Sequence, residues 1–260
     1  MNEAGGARVP GPDLGGRHVL VTGASRGIGR GIAERAAALG AEVTLAARDG
    51  EALEEARAAI EAAGGTAGAA VADATDAGQV EKLVAAADVR STLWACVHAV
   101  GGNRTGETLN YAVEDLDKLL ALNVRSTFCV LREVGRRLVP RGDGGRLVAV
   151  SSQMGSVGYP GRAAYCASKA AVDGMVRALA VEWAPRGVTV NALAPTFVET
   201  EMTRPMLEDP LFRAEVLGRI PIGRLGEVDE VAAAATFLIG PESGLITGTV
   251  LPVDGGWTAW

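Results

Sequence analysis

The sequence predicts an α/β fold in which helices cover both faces of a doubly wound, mainly parallel sheet, giving three layers. Short apolar runs alternate with segments of helical periodicity along the chain, and glycine or proline separates them. Apolar strands joined by helices are expected to be parallel and buried on both faces. The 260 residues are 48% hydrophobic but only 4% aromatic, which favours a closely packed α/β core.

The predicted elements follow one another in a regular βα order. Residues 1–16 contain glycine and proline without periodicity, so we expect a flexible N-terminal tail followed by a single domain over residues 17–260. The predicted strands are 18–22, 43–47, 69–72, 93–97, 146–151 and 188–193. The predicted helices after the first one are 51–63, 77–87, 113–138 and 163–183.

Composition argues against several classes of protein. The formal net charge is −6 without any run of basic residues, so binding to nucleic acid or an anionic membrane is not expected. The sequence has no membrane-spanning apolar stretch and no signal-peptide pattern, so we expect a cytoplasmic protein. Cys96, Cys129 and Cys166 are far apart and predicted to be buried thiols, and His18 and His98 lie in predicted strands. No metal site is expected.

A glycine-rich turn follows the first predicted strand. The sequence TGASRGIG covers residues 22–29, and a helical pattern follows it. Gly23 permits a sharp turn, Gly27 lets the backbone approach a pyrophosphate, and Gly29 lets helix and strand pack closely. The N-terminus of the helix would then face the phosphates. Because no Gly-Lys-Ser/Thr follows, the turn predicts a dinucleotide site rather than a nucleoside-triphosphatase loop.

Charged residues after the second predicted strand bear on the identity of the dinucleotide. That strand ends at Ala47, and Arg48 and Asp49 follow it. An acidic side chain here would bond the ribose 2′-hydroxyl of NAD, whereas an arginine would pair with the 2′-phosphate of NADP. Arg26 in the glycine turn offers a second cation, while Asp49 could instead cap the next helix. We therefore predict that NADP(H) is favoured over NAD(H).

A Tyr-x-x-x-Lys pair is the candidate acid–base centre. Tyr165 and Lys169 lie four residues apart in a predicted helix and therefore share one face. A nearby ammonium lowers the pKa of a phenol. Ser152 ends a predicted strand, so its hydroxyl could reach the same sheet edge and bond a carbonyl oxygen. Asn123 could hold a water against Lys169 and carry the proton onward.

Together these features resemble the short-chain dehydrogenase/reductase family, particularly its single-domain, 3-oxoacyl-reductase-like members. The glycine turn, Asn123, Ser152 and the Tyr165–Lys169 pair occur in the family's order, and residues 223–256 resemble its C-terminal part. The resemblance covers roughly residues 17–256. It implies a Rossmann-like fold and an NAD(P)-dependent oxidoreductase that acts on CH–OH groups.

The resemblance also implies roles for individual residues. Ser152 would polarise the substrate oxygen, Tyr165 would donate or accept the proton, Lys169 would bind the ribose and lower the pKa of Tyr165, and Asn123 would join a water relay. Asp73 matches the adenine contact of the family. The predicted cofactor-binding residues are Gly23, Ser25, Arg26, Gly27, Ile28, Gly29, Arg48, Asp73, Ala74, Ala99, Tyr165, Lys169, Pro195, Val198 and Thr200.

The sequence departs from the family pattern at two places. His98-Ala99-Val100-Gly101 stands where Asn-Asn-Ala-Gly is usual, so side-chain contacts normally made there are expected to be absent. Pro195-Thr196 stands where Pro-Gly is usual, which places a hydroxyl near the expected nicotinamide position. Both departures bear on how the cofactor would lie.

The predicted function is hydride transfer between NADP(H) and a carbonyl or secondary alcohol, as in a ketoreductase. A sugar, polyol or other alcohol dehydrogenase that uses NAD, and a non-catalytic dinucleotide sensor, are open alternatives. Apolar residues within 196–221 predict a lid and favour a hydrophobic ketone. A polyol or carboxylate could be held instead by Asn103, Arg104, Gln153 and Arg162. The partner would be a small-molecule substrate, and the resemblance implies a homotetramer.

Overall fold

Seven parallel strands form one sheet in the computed structural model, which describes residues 9–259. Their order across the sheet is β3-β2-β1-β4-β5-β6-β7. The strands are β1 (His18–Thr22), β2 (Glu42–Ala47), β3 (Thr66–Val71), β4 (Leu93–His98), β5 (Gly145–Val150), β6 (Val188–Pro195) and β7 (Val250–Val253). The predicted doubly wound α/β fold is confirmed.

Helices cover both faces of this sheet. Successive side chains of a strand point to opposite faces. Val19 and Val21 accordingly join one hydrophobic cluster, and Leu20 between them joins the other. The helices are α1 (Gly27–Ala38), α2 (Gly50–Ala62), α3 (Ala77–Arg90), α4 (Val113–Leu120), α5 (Ser126–Arg141), α6 (Ala163–Trp183), α7 (Arg204–Leu207), α8 (Pro210–Gly218) and α9 (Val228–Ile239).

Two predicted boundaries differ from the structure for identifiable reasons. Strand β3 begins at Thr66 rather than at residue 69, because its alanine and glycine residues have low strand propensity and give a weak pattern. The predicted helix 113–138 is three pieces: α4, the π-helical turn Ala121–Arg125, and α5. Periodicity did not reveal this turn because apolar residues continue through it, at Ala121, Leu122 and Val124.

The predicted N-terminal tail is described only from residue 9. Leu14 is fully buried in the core, and its amide donates a 3.0 Å hydrogen bond to the carbonyl of Leu39. The chain is therefore packed against the end of α1 before β1 begins. Residues 1–8 of the predicted tail lie outside the described residues. Within residues 9–259, no helix combines the length and apolarity that crossing a membrane requires.

The sheet creates a crevice where its strand order reverses. From β1 the chain proceeds outward to β2 and β3, and then returns to place β4 on the other side of β1. The connections that leave β1 and β4 therefore diverge, and a gap opens at the carboxyl ends of these strands. Open α/β sheets bind their ligands at such points.

Both histidines are buried structural links. The ring of His98, at the end of β4, lies 2.7 Å from Thr22 Oγ1 on β1 and 3.1 Å from Ser126 Oγ on α5. Burial lowers the pKa of His98 to about 3, and the charge of Lys169 lowers it further in the same direction. His18 bonds Thr44 and the Ser91 carbonyl in the same manner. Among residues 9–259, no cluster of three or more potential metal ligands occurs.

We predict that His98 makes stability sensitive to acid. Its pKa is about 3 when folded and about 6.5 when unfolded, so the unfolded chain binds more protons between these values. Stability is therefore complete above pH 6.5 and is lost as pH falls. His98→Asn should remove about 2 kcal/mol of the decrease in unfolding free energy between pH 7 and pH 5. Urea denaturation at both pH values tests this, and identical pH dependence of the two proteins would contradict it.

Candidate active site

A cavity of about 560 Å³ lies at the carboxyl ends of the central strands. It extends from the glycine turn after β1 to the ends of β5 and β6. Every cofactor-binding residue predicted from the sequence lines it: Gly23, Ser25, Arg26, Gly27, Ile28, Gly29, Arg48, Asp73, Ala74, Ala99, Tyr165, Lys169, Pro195, Val198 and Thr200. Ser152 also lines it, whereas Asn123 lies behind its wall.

The glycine turn requires glycine at three positions. Gly23 and Gly27 have φ values of +75° and +54°, a region that side-chain-bearing residues rarely adopt. A Cβ at Gly23 would stand 2.8 Å from the carbonyl of Ala99, and a Cβ at Gly29 would overlap the carbonyl of Gly23. The loops after β1 and β4 therefore touch backbone to backbone. This contact leaves the first N–H groups of α1 facing the cavity, where they can bind a phosphate.

At the end of the cavity near β2 and β3, the side chain of Arg48 is exposed, whereas that of Asp49 is hydrogen-bonded to a helix terminus. The side chain of Arg48 is 72% exposed, and its Nη1 atom is 4.0 Å from Asp73 Oδ2. Asp49 caps α2, since its Oδ1 accepts a 3.1 Å hydrogen bond from the Ala52 amide. Asp49 thus has the helix-capping role predicted as an alternative from the sequence. The Asp49 carboxylate is therefore engaged in the cap, whereas the exposed Arg48 guanidinium has only the long 4.0 Å contact with Asp73 and can also meet an anion.

The side chain of Asp73 is fixed by its own loop. Hydrogen bonds from the amide and hydroxyl of Thr75, each 2.8 Å long, lower the pKa of Asp73, and the charge of Arg48 lowers it further. Across the cavity mouth, Arg26 forms an exposed 3.4 Å ion pair with Glu201. Such exposed pairs contribute little stability, so Arg26 can exchange this partner at small cost.

The opposite end of the cavity contains a buried hydroxyl without a partner. Thr196 Oγ1 makes no hydrogen bond within the described residues, although it is buried. It follows Pro195, where a glycine is usual in the family pattern. The lining of this cavity suits a dinucleotide, because it offers a phosphate-binding helix terminus, an exposed arginine at one end and, at the other, a hydroxyl without a hydrogen-bond partner among residues 9–259.

Ser152 and Tyr165 meet beside this end. Ser152 follows β5, and its Oγ accepts a 3.2 Å hydrogen bond from the Met154 amide, which fixes the side chain. Burial raises the pKa of Tyr165, while hydrogen bonding with Ser152 and the positive charge of Arg162 lower it. The phenol and the serine hydroxyl are therefore close together. They can hold one substrate oxygen between them.

Lys169 follows one turn later on the same face of α6. Its Nζ donates a 2.9 Å hydrogen bond to the carbonyl of Val150 and lies 5.8 Å from the centre of the Tyr165 ring. Burial lowers the pKa of Lys169 to about 8, and the carboxylate of Asp173 opposes this shift. In this structure the charge that acts on the Tyr165 phenol is that of Arg162, so the predicted effect of Lys169 on the phenol stays a prediction.

Asn123 lies in the π-helical turn and is completely buried. Its Oδ1 accepts a 2.8 Å hydrogen bond from the Gly102 amide, and its Nδ2 donates to the Gly102 carbonyl and to Ser168 Oγ. A Cβ at Gly101 would lie 3.4 Å from Asn123 Oδ1 and 3.3 Å from Lys169 Nζ, so only a short span separates these side chains. The predicted water relay through Asn123 remains a prediction.

Two charged residues near the site, Asp173 and Arg162, are buried. Asp173, one turn beyond Lys169, is buried beside it, and the i, i+4 spacing was the available signal. Arg162, which the sequence suggested as a possible ligand for a polyol or carboxylate, is only 3% exposed, whereas arginine is rarely buried. The predicted lid is also partly fixed: Leu207 is buried, whereas Met202 is exposed.

Comparison with known proteins agrees with this geometry. The model of a family described as enoyl-(acyl carrier protein) reductase matches residues 23–258. Gluconate 5-dehydrogenase of Gluconobacter oxydans is 38% identical over 246 residues, with 94% of this chain and 96% of that protein covered. Galactitol 2-dehydrogenase (L-tagatose-forming) of Cereibacter sphaeroides is 42% identical over 249 residues, with 95% and 97% covered.

A solved structure gives the same result. That of a putative NAD(P)-dependent gluconate 5-dehydrogenase from Beutenbergia cavernae, with bound NADP, superposes with a TM-score of 0.91. It is 36% identical to this chain, and 95% of this chain and 99% of that one are covered. A nicotinamide-dependent oxidoreductase is thus the class that fold and cavity define. The chain belongs to the short-chain dehydrogenase/reductase family.

Proposed function

We propose that this protein is an NADP(H)-dependent oxidoreductase that interconverts a secondary alcohol and a ketone, with Tyr165 as the acid–base residue. The main support is that Ser152, Tyr165 and Lys169 line the same cavity as the glycine turn. One cavity thereby offers a dinucleotide site, a proton-transferring phenol and a hydroxyl for the substrate oxygen. A non-catalytic dinucleotide sensor would need only the first of these features.

The chemistry divides between cofactor and protein. When bound, the nicotinamide ring supplies or accepts the hydride. In the reductive direction, Ser152 donates a hydrogen bond to the carbonyl oxygen, and Tyr165 transfers its phenolic proton to that oxygen as charge develops there. In the oxidative direction, the phenolate accepts the proton of the alcohol. Burial raises the pKa of Tyr165 and so favours the protonated form, which is the one that reduction requires.

Lys169 and Asn123 would support the proton transfer without contacting the substrate. A Lys169 ammonium stabilises a neighbouring phenolate and can bind the ribose of the cofactor. The carboxylate of Asp173 helps Lys169 to keep its charge at neutral pH, since burial alone lowers the pKa of that amine. Asn123 fixes the loop at Gly102 next to Lys169, where a water could return the proton to the phenol.

We infer that the substrate is polyhydroxylated. Two relatives are named for oxidation of gluconate and galactitol, and both align over nearly their whole length. Reduction of the corresponding ketone is the same reaction in reverse, so a ketoreductase role is compatible with this class. The predicted hydrophobic substrate has weaker support, because Leu207 of the predicted lid packs into an aromatic cluster instead of facing the cavity.

We propose NADP(H) as the preferred cofactor. The exposed Arg48 guanidinium is available for a 2′-phosphate, and the Asp49 carboxylate that could hold a 2′-hydroxyl is engaged in capping α2. Exposed Arg26 provides a second positive charge at the same rim of the cavity. NADP bound in a related solved structure also supports this preference.

We further propose a cytoplasmic homotetramer, as the family resemblance implied. Support comes from large apolar side chains that are exposed on α4, α5, α6 and α9, namely Val113, Phe128, Val181 and Phe237. Light scattering should then give a molar mass about four times the 26.6 kDa of the chain. A mass equal to that of one chain would contradict the proposal.

The acid–base role predicts a selective loss in Tyr165→Phe. Removing the phenolic oxygen eliminates the proton donor, so kcat for alcohol oxidation should fall by at least about 100-fold, while the Kd for NADPH stays near the wild-type value. Steady-state kinetics and fluorescence titration measure the two quantities. Tyr159→Phe is the matched control, because its hydroxyl bonds Glu215 and lies outside the cavity lining. Equal turnover in wild type and Tyr165→Phe would sink the assignment.

The cofactor preference predicts a selective effect of Arg48→Asp. Loss of a charge-assisted pair, together with the added negative charge, should weaken NADPH binding by about 10- to 100-fold and leave NADH binding intact or improved. Asp49→Asn tests the alternative, since asparagine caps helices as well as aspartate does, and the NADH affinity should stay unchanged if Asp49 only caps α2. Titration with both cofactors decides the matter, and parallel loss of both in Arg48→Asp would refute the preference.

A further inference from the structure

Arg162 is a buried cation without a counter-ion. The residue is 3% exposed and stands at the N-terminus of α6, directly before the first helical residue. No carboxylate lies within ion-pair distance of it in residues 9–259. Within residues 9–259, the only hydrogen bond of its guanidinium runs from Nη2 to the Met206 sulfur at 3.5 Å, and a thioether is a weak acceptor. Burying a charge in this way is costly unless a ligand compensates it.

The surroundings of Arg162 do not compensate its charge, and burial lowers its pKa. Its guanidinium lies 5.4 Å from the ring centre of Tyr159 and 5.5 Å from that of Phe197. The titratable groups whose charge acts on Arg162 are Tyr165, Tyr159 and Cys166, and none of them is a carboxylate. Cation–π contacts hold the planar guanidinium in place and leave its N–H groups available to an acceptor.

Among the described residues, neighbouring Arg219, unlike Arg162, has a carboxylate partner. It also packs over Tyr159, at 5.0 Å, but it forms a 3.3 Å ion pair with Glu215. Glu215 in turn accepts a 2.9 Å hydrogen bond from the Tyr159 hydroxyl. The one nearby carboxylate is thus committed to other partners. Arg162 stays uncompensated on the buried side of the same aromatic ring.

Arg162 also lies next to the reacting groups. It precedes Tyr165 by one helical turn, and its charge reaches the phenol. The residue that covers its guanidinium, Met206, belongs to α7, and the segment 200–203 that leads into α7 lines the cavity. Arg162 and Met206 themselves are not among the cavity-lining residues, so a shift of this segment on substrate binding would be needed to open the guanidinium to the cavity.

We propose that Arg162 binds the carboxylate of an anionic substrate, so that the natural substrate is a small hydroxy or oxo acid and not a neutral polyol. This inference rests on the proposed function. The carboxylate would replace the Met206 sulfur as acceptor and pair with the planar guanidinium. A carboxylate fits better than a phosphate ester, because a single guanidinium balances one charge and the other cation of the region is already paired.

Matched pairs of substrates test this directly. Gluconate and glucitol, and galactonate and galactitol, differ at one terminal carbon, which is a carboxylate in one member and CH2OH in the other. With NADP+, wild type should show higher kcat/KM for each acid than for its alcohol. Arg162→Met should raise KM for the acid by about 30-fold or more and leave KM for the alcohol unaltered, while any change in kcat from the lost charge beside Tyr165 should be the same for both substrates.

Control variants separate recognition from folding. Arg162→Lys keeps the charge but loses the planar guanidinium, so its KM for the acids should lie between those of wild type and Arg162→Met. Arg219→Met removes the other cation from the same ring and should leave the preference for acids intact. Arg162→Met should retain the wild-type Tm, since a methionine replaces an unpaired buried charge. Equal loss of activity on acids and alcohols, or a preference of wild type for the alcohols, overturns the proposal.

Binding measurements distinguish failure of this inference from failure of the proposed function. Calorimetric titration of the NADP+ complex with gluconate and galactonate should show binding to wild type and about 30-fold weaker binding to Arg162→Met. Binding without turnover of any substrate would refute the redox function but support the carboxylate site. Turnover of alcohols without binding of either acid would support the redox function and refute the site.

Discussion

The backbone contact between the loops after β1 and β4 is the constraint on which the site depends. Gly23 brings its loop against the carbonyl of Ala99, and the absence of side chains at Gly23 and Gly29 allows α1 to start directly above β1. A larger residue at either position would separate the loops. The helix N-terminus would then no longer face the crevice, and the distance from the phosphate end of the cavity to Tyr165 would change.

Burial acts on three titratable groups of one helix face and favours the neutral form of each. Along α6 it raises the pKa of Tyr165 and Asp173 and lowers that of Lys169. Neighbouring groups partly oppose each shift: Ser152 and Arg162 for the phenol, Asp173 for the amine, and Ser151, Arg177 and Lys169 for the carboxyl. The protonation state of this helix face is therefore set by a few short-range contacts, as the proposed acid–base role would require.

Sequence reasoning predicted the fold, and it selected residues that the structure brings to one cavity, because both depend on local pattern. Apolar runs located the strands, and strand ends located Ser152, Arg48 and Pro195, since parallel strands finish at one edge. The burial of Arg162 could not be predicted in this way. It depends on Tyr159 and Phe197, which come from different loops and meet only in the folded chain. Strand β3 was misplaced because alanine and glycine carry almost no periodic signal.

The π-helical turn at Ala121–Arg125 has a consequence for how this chain tolerates insertions and deletions. Each residue of a helix advances its side chains by about 100° around the axis. The turn accommodates one residue more than a regular ladder, which sets the angular offset between α4 and α5. Removing that residue would rotate Asn123 away from Gly102 while the apolar face of α5 stayed in place. The helix would remain packed, but the loop that it anchors would be released.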